Sequence, residues 1–166
     1  VRDKDSCGSI LLACEIAAWC KANESSMFQC MIEIYKDLGM YYEGLINVVR
    51  KGRTGAEEIQ QMMKDFRENP PRQIAGSSVA LIKDYKEQTK TDVSTNSTSV
   101  MDEIPKSNVL IFYTEDGSKI AARPSGTEPK IKFYFSVKTD LDEISDFPAK
   151  EEELKAKLER LKNEFK

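Results

Sequence analysis

Residues 109–137 read VLIFYTEDGSKIAARPSGTEPKIKFYFSV, and the alternation within them decides the fold class. Val109-Leu110-Ile111-Phe112-Tyr113 is a run of β-branched, aliphatic and aromatic side chains, the composition of a strand. Asp116-Gly117 is a strong hairpin signal leading into a return strand at Lys119-Ile120-Ala121-Ala122. Beyond the next loop, Ile131, Phe133, Phe135 and Val137 alternate with Lys132, Tyr134 and Ser136, which predicts one buried and one solvated face. Three strands in succession predict a sheet that is mostly antiparallel.

The loop between the last two of these strands, Arg123-Pro124-Ser125-Gly126-Thr127-Glu128-Pro129-Lys130, concentrates chemistry suited to an anion. The Arg123 guanidinium is a planar fork that matches two phosphate oxygens at once. Ser125 and Thr127 each carry a hydroxyl donor. Gly126 permits left-handed dihedrals and allows successive N–H groups to point into one concavity. Pro124 and Pro129 stiffen both ends. Lys130 either adds a fifth group or opens the next strand facing solvent. Glu128 is expected to orient Arg123 or a loop amide rather than meet a dianion.

Working outward, residues 6–22 are apolar on most faces, with Ile10, Leu11, Leu12, Ile16 and Trp19, which predicts a short helix of the kind normally buried. Ser26 and Gln29 have the spacing of a capping box, and Met27, Phe28, Met31, Ile34, Tyr35 and Leu38 continue at helical spacing until Gly39. Tyr41 to Val49 is strand-like. Lys51 to Gly55 makes a turn, and Thr54 with Glu57 predicts another capping box. The helix that follows carries Ile59, Met62, Met63 and Phe66 on one face and stops at Asn69-Pro70-Pro71. Ile74 to Tyr85 reads as one strand bent near Gly76, and Thr89 to Ser99 as a mobile polar loop. A last helix begins near Pro148, with Leu154, Leu158, Leu161 and Phe165 along one stripe. The fold class is α+β: a mostly antiparallel sheet of four or five strands with two helices over 41–166, preceded by a two-helix remnant of another domain over 1–40.

The 166 residues suit one domain plus part of another, and a net charge of −3 with no basic block argues against nucleic acid. No apolar run is long enough to span a bilayer, and no secretory leader is visible, so no membrane association and a cytoplasmic location are expected. The chain opens on Val1 rather than Met, which suggests a piece cut from a longer protein. The four cysteines, Cys7, Cys14, Cys20 and Cys30, form no C-x-x-C pair and are expected to be small buried residues in a reducing compartment. There is no histidine, so neither a Ser-His nor a Cys-His pair can be built within the chain.

The run Ala122 to Lys132 resembles the phosphate-binding loop of the α-D-phosphohexomutases, the phosphoglucomutase/phosphomannomutase superfamily, a loop found in the fourth and last domain of those enzymes. The resemblance extends through Val1-Arg2-Asp3-Lys4-Asp5, Gly39-Met40-Tyr41-Tyr42-Glu43 and Lys51-Gly52-Arg53-Thr54-Gly55, and so covers essentially the whole chain. It implies that Arg123, Ser125, Gly126 and Thr127, with Lys130 a further member, hold a substrate phosphate. The parent would be a mutase in which a phosphoserine, with Mg²⁺, exchanges a phosphoryl group with a hexose phosphate, glucose or mannose phosphates foremost. This chain would keep the grip on the phosphate that is not reacting, beside the remaining domains of the same polypeptide.

No catalytic residue is assigned here, because nothing resembles the family's phosphoserine loop. Neither Asp3-Lys4-Asp5 nor Asp140-Leu141-Asp142 has the three alternating aspartates of its metal loop, so no metal ligand or other cofactor contact is assigned either. The alternative reading is a non-catalytic module that binds phosphosugar or protein. The apolar helices within 6–38 also suggest self-association.

Overall fold

The computed structural model describes residues 4–52, 54–101 and 104–166. Val1, Arg2, Asp3 and Arg53, which carry part of the resemblance, lie outside the described residues. The chain forms two bodies, Val1–Met40 with Thr139–Lys150, and Tyr41–Lys138 with Glu151–Lys166.

In the first body, α1 (Ser6–Ala22) starts where the Asp5 carboxylate accepts the Gly8 N–H at 2.9 Å, so this acid caps a helix. In α2 (Met27–Leu38) the Ser26 hydroxyl accepts the Gln29 N–H at 3.1 Å, forming one half of the expected box. Phe28 and Tyr35, seven residues apart on α2, both meet Phe147, the first edge-on with centroids 5.5 Å apart and the second stacked at 6.4 Å. The expectation that α1 is buried is not met. Ile10, Leu11, Leu12 and Trp19 are exposed by 57–71%, and Cys20 is the buried residue of this helix. The expectation of buried cysteines holds for Cys20 alone among the four: Cys7 and Cys14 are exposed and Cys30 is half-buried. The physical reason is that an all-round apolar helix needs cover on every side, and this body supplies it on one.

The second body is built on a sheet. Its strands are β1 (Met40–Val49), β2 (Gln73–Ile74), β3 (Ser77–Asp84), β4 (Thr89–Asp92), β5 (Ser97–Val100), β6 (Leu110–Thr114), β7 (Lys119–Pro124) and β8 (Lys130–Thr139). They lie in the order β1-β8-β7-β6-β3-β4-β5, with β2 paired to β3, and the pairings from β2–β3 through β7–β8 are antiparallel. The α+β class holds, with eight strands where four or five were expected. Two hairpins account for the difference. Ala75 and Gly76 both take positive φ, 49° and 85°, which turns the expected bent strand into the tight β2–β3 hairpin. The polar stretch at 89–99 is a hairpin rather than a loop, β4 against β5, with the Thr91 and Thr98 hydroxyls 3.0 Å apart across it.

Alternation puts Phe112, Ile120, Ala122, Ile131, Phe133, Phe135 and Val137 on one fully buried face. Onto it pack α3 (Gly55–Glu68), through Ile59, Met63 and Phe66, and the part of α4 (Phe147–Glu164) from Glu151 onward, through Leu154, Leu158 and Leu161. Each buried leucine stabilises the body by about 1.5–3 kcal/mol. Phe66 lies against Phe112 and Phe133 with centroids 6.0 and 6.1 Å apart, and Phe165 closes on Phe133 at 5.0 Å. The expected Thr54–Glu57 box does not form. The Thr54 hydroxyl donates instead to Glu58 Oε1 at 3.1 Å, because Thr54 is already in helical dihedrals, out of reach of the next free amides.

One buried ion pair ties this layer together. Arg67, in the last turn of α3, donates through Nε to Asp84 Oδ2 at 2.7 Å and through Nη2 to Asn108 Oδ1 at 2.7 Å, with both charged side chains at most 15% exposed. Truncating one partner strands the other charge. Asp84→Ala is expected to lower stability in urea unfolding by about 3–5 kcal/mol.

At the β6–β7 turn, burial pushes the Asp116 carboxyl up. The Thr114 hydroxyl at 2.6 Å, the Lys157 ammonium at 2.9 Å and the Ser118 N–H at 3.0 Å outweigh it and hold the group well below the usual carboxylate range. A depressed pKa contributes stability above the unfolded value of about 3.9, and that contribution is lost as pH falls through the lower folded value. The stability gap between the wild type and Asp116→Asn should therefore be about 1–2 kcal/mol near pH 7 and shrink steadily below about pH 4, as followed by thermal unfolding across pH.

Candidate anion-binding site

The loop between β7 and β8 is seated by main chain. The Ser125 N–H bonds the Lys130 carbonyl at 2.9 Å and the Lys130 N–H the Glu128 carbonyl at 2.7 Å, closing the turn. From the far side of the sheet edge, the Arg50 N–H donates to the Pro129 carbonyl at 2.9 Å. At Gly55, where α3 begins, a β-carbon would overlap the Arg50 carbonyl and come within 3.2 Å of Pro129 Cβ. Gly55 is thus required by close approach, and it brings the N-terminus of α3 against the loop.

Within the turn, the Ser125 Oγ accepts the N–H groups of Thr127 and Glu128 at 3.5 and 3.3 Å. Its oxygen is engaged, while its proton remains available for donation. Two of the loop amides expected to face a common concavity therefore turn to Ser125. Gly126 does not take the left-handed conformation expected of it, and a β-carbon there would meet open space.

The five expected residues divide between two depressions. Arg123, Ser125, Gly126 and Lys130 line one of about 230 Å³ together with Lys132 and Tyr134. Ser125, Gly126 and Thr127 line the second, of about 240 Å³, whose other wall is Gly52, Ala56, Ile59 and Gln60. Ser125 and Gly126 are the ridge they share, and Thr127 does not line the depression of Arg123.

Arg123 is exposed and forms no ion pair with any described residue, so of the two expectations for Glu128, orienting Arg123 or a loop amide, the first is not met. Glu128 instead pairs with Lys130, whose ammonium holds the Glu128 carboxyl below its ordinary range. Lys132 lies opposite Arg123 in the β7–β8 register, so the two cations project from the same face. Sequence reasoning placed Lys132 and Tyr134 on the solvated face without joining them to the loop. The alternation within 131–137 combined with a hairpin register would have done so. No periodic signal could have found Gly52, Ala56 or Gln60, which reach the loop only through the tertiary fold.

The α+β body thus presents three cations, Arg123, Lys130 and Lys132, beside a hydroxyl-rich turn at one end of the sheet. Residues 45–154 match the family described as phosphoglucomutase/phosphomannomutase, C-terminal domain, and the chain belongs to that family. It is 36% identical over 146 residues to a phosphoglucomutase of Staphylococcus aureus (strain MRSA252), covering 87% of this chain and 26% of that protein. It is 34% identical over 140 residues to a phosphoglucomutase of Staphylococcus haemolyticus, covering 84% and 25%. A crystal structure of Paramecium pp63/parafusin, a phosphoglucomutase in an open form, covers 97% of the chain and 28% of its own length, with 16% identity and a TM-score of 0.49. The chain thus spans about a quarter of the length of the curated relatives it matches.

Gly55→Ala is expected to cost about 1–3 kcal/mol by overpacking and to shift the amide resonances of residues 125–130, whereas Gly126→Ala should fold with wild-type stability. Paired denaturation curves and ¹H–¹⁵N spectra check both.

Proposed function

We propose that residues 41–166 are the phosphate-anchoring domain of a phosphosugar mutase, and that the loop at 123–130 grips the phosphate of a hexose phosphate that is not being transferred. Residues 1–40 are then the helical tail of the preceding sugar-binding domain. The observation that carries this reading is Arg123: an exposed guanidinium with no carboxylate partner among the described residues, facing a depression it shares with Lys130, Lys132, Ser125 and Gly126. A cation left without a partner beside two others is electrostatically costly unless an anion completes the group.

The chemistry follows from the groups present. The guanidinium takes two phosphate oxygens, the Ser125 hydroxyl donates its remaining proton, and the ammonium of Lys132 adds long-range attraction. Lys130, already paired with Glu128, contributes less than a lone ammonium would. Thr127, across the ridge, meets a ligand only where the ligand overlaps both depressions. Such a grip accelerates the reaction through position alone: binding energy at the distant phosphate holds the reacting hydroxyl against its phosphoryl donor.

Among the described residues no group of three or more His, Cys, Asp or Glu could hold a metal ion. The described residues also include no helix long and apolar enough to cross a membrane.

An NMR titration with glucose 6-phosphate tests the reading. Saturable shifts centred on Gly126, Ser125 and Lys132 are expected with a Kd of ~1 mM, about −4 kcal/mol, since a few charge-assisted bonds are offset by association entropy. Arg123→Ala should weaken binding roughly 10- to 100-fold, and Arg123→Lys should recover only part of that, because the fork is lost while the charge is kept. Unchanged affinity in Arg123→Ala would remove the assignment.

A further inference from the structure

We propose that Cys20 and Cys30 are the two halves of a reversible intramolecular disulfide, a modification site that clamps the end of α1 to the start of α2. Their sulfurs lie 3.0 Å apart, both thiols are free, and a covalent bond needs an approach to about 2.05 Å. They lie ten positions apart in sequence, and the turn at Asn23–Ser26 already folds the helices onto each other, with the Ser25 N–H bonded to the Cys20 carbonyl at 2.8 Å.

The two sulfurs are not equivalent. Cys20 is 1% exposed, whereas Cys30, in the first turn of α2, is half-buried with the Ser25 hydroxyl 3.6 Å from its sulfur. Its hydrogen bond with Cys30, then burial, raises the Cys20 thiol above its ordinary range. Cys30 is therefore the sulfur an external oxidant meets, and Cys20 the one that resolves the product. A metal is a poorer occupant, since among the described residues no third ligand joins the pair. Cys7 and Cys14 are exposed and have no sulfur partner among the described residues.

The oxidant required is a low-molecular-weight disulfide such as oxidised glutathione. The Cys30 thiolate attacks one of its sulfurs, forming a mixed disulfide and expelling one glutathione thiolate, which takes up the proton Cys30 released. Cys20 then loses its proton and attacks the Cys30 sulfur. The bond to the second glutathione breaks, and that thiolate takes the proton. Two protein thiols are oxidised by two electrons, and one glutathione disulfide is reduced to two thiols.

The test is peptide mapping of the intact protein equilibrated in oxidised glutathione, alkylated and cut by trypsin. Lys21 lies between the two cysteines, so a cross-link joins the peptide ending at Lys21 to the peptide ending at Lys36. The expected product is that linked pair, lighter by two hydrogens than its separate reduced parts, with fragmentation placing the bond on Cys20. Cys14→Ser should retain it. Cys20→Ser should abolish it and leave Cys30 carrying glutathione at a level at least about tenfold above the parent, because nothing resolves the adduct. Glutathione retained on Cys30 in the parent protein, a link from Cys30 to Cys7 or Cys14, or a link between two chains would overturn the proposal.

Discussion

The main chain at Gly55 runs so close to the Arg50 carbonyl that no side chain fits between them, and the placement of the anion loop depends on that contact. It starts α3 directly behind the exit of β1 and leaves Pro129 resting against the same spot, held by the Arg50 N–H. Once α3 begins there, its apolar face falls on the sheet through Ile59, Met63 and Phe66, and the ion pair of Arg67 with Asp84 fixes its other end. Three segments remote in sequence thus converge at the turn after β7. The turn itself carries few bonds of its own, and its shape is inherited from that frame.

Charge is distributed unevenly around this turn. The chain as a whole is acidic, yet Arg123, Lys130 and Lys132 gather at one end of the sheet, where Glu128 is paired with Lys130. A patch of one sign within a molecule of the other raises the local concentration of counter-ions beside it. Glu128 tempers the field by engaging Lys130, leaving Arg123 as the strongest and most directional donor.

Much of this was legible in residues whose local chemistry and tertiary fate agree. Phe112, Ile120, Ile131, Phe133 and Phe135 alternate in sequence and all are buried, because strand period and core demand coincide. Leu154, Leu158 and Leu161 show the same agreement at helical spacing. The failures came where local signals were silent or ambiguous. Ala75 carries no turn signature, yet it adopts φ 49° because the β2–β3 pairing rewards the turn. Thr and Ser at 89–99 are common in loops and in strands alike, so composition alone could not separate them. At the site, Arg123 with Ser125 and Gly126 was readable from spacing. That Thr127 faces a different depression was not, since the other wall is made by Ala56, Ile59 and Gln60 of α3, remote from it in sequence.

The hairpin formed by β4 and β5 stands at the far margin of the sheet, with β6 and β3 between it and the strands that flank the anion loop. Its outer strand, Ser97–Val100, is exposed along its full length and mostly hydroxylated, so it offers the core nothing to hold. Sequence length and identity there are free to drift without disturbing the far end of the sheet, and a fluorescent label or affinity handle grafted at its tip would report on the domain while leaving the turn after β7 untouched.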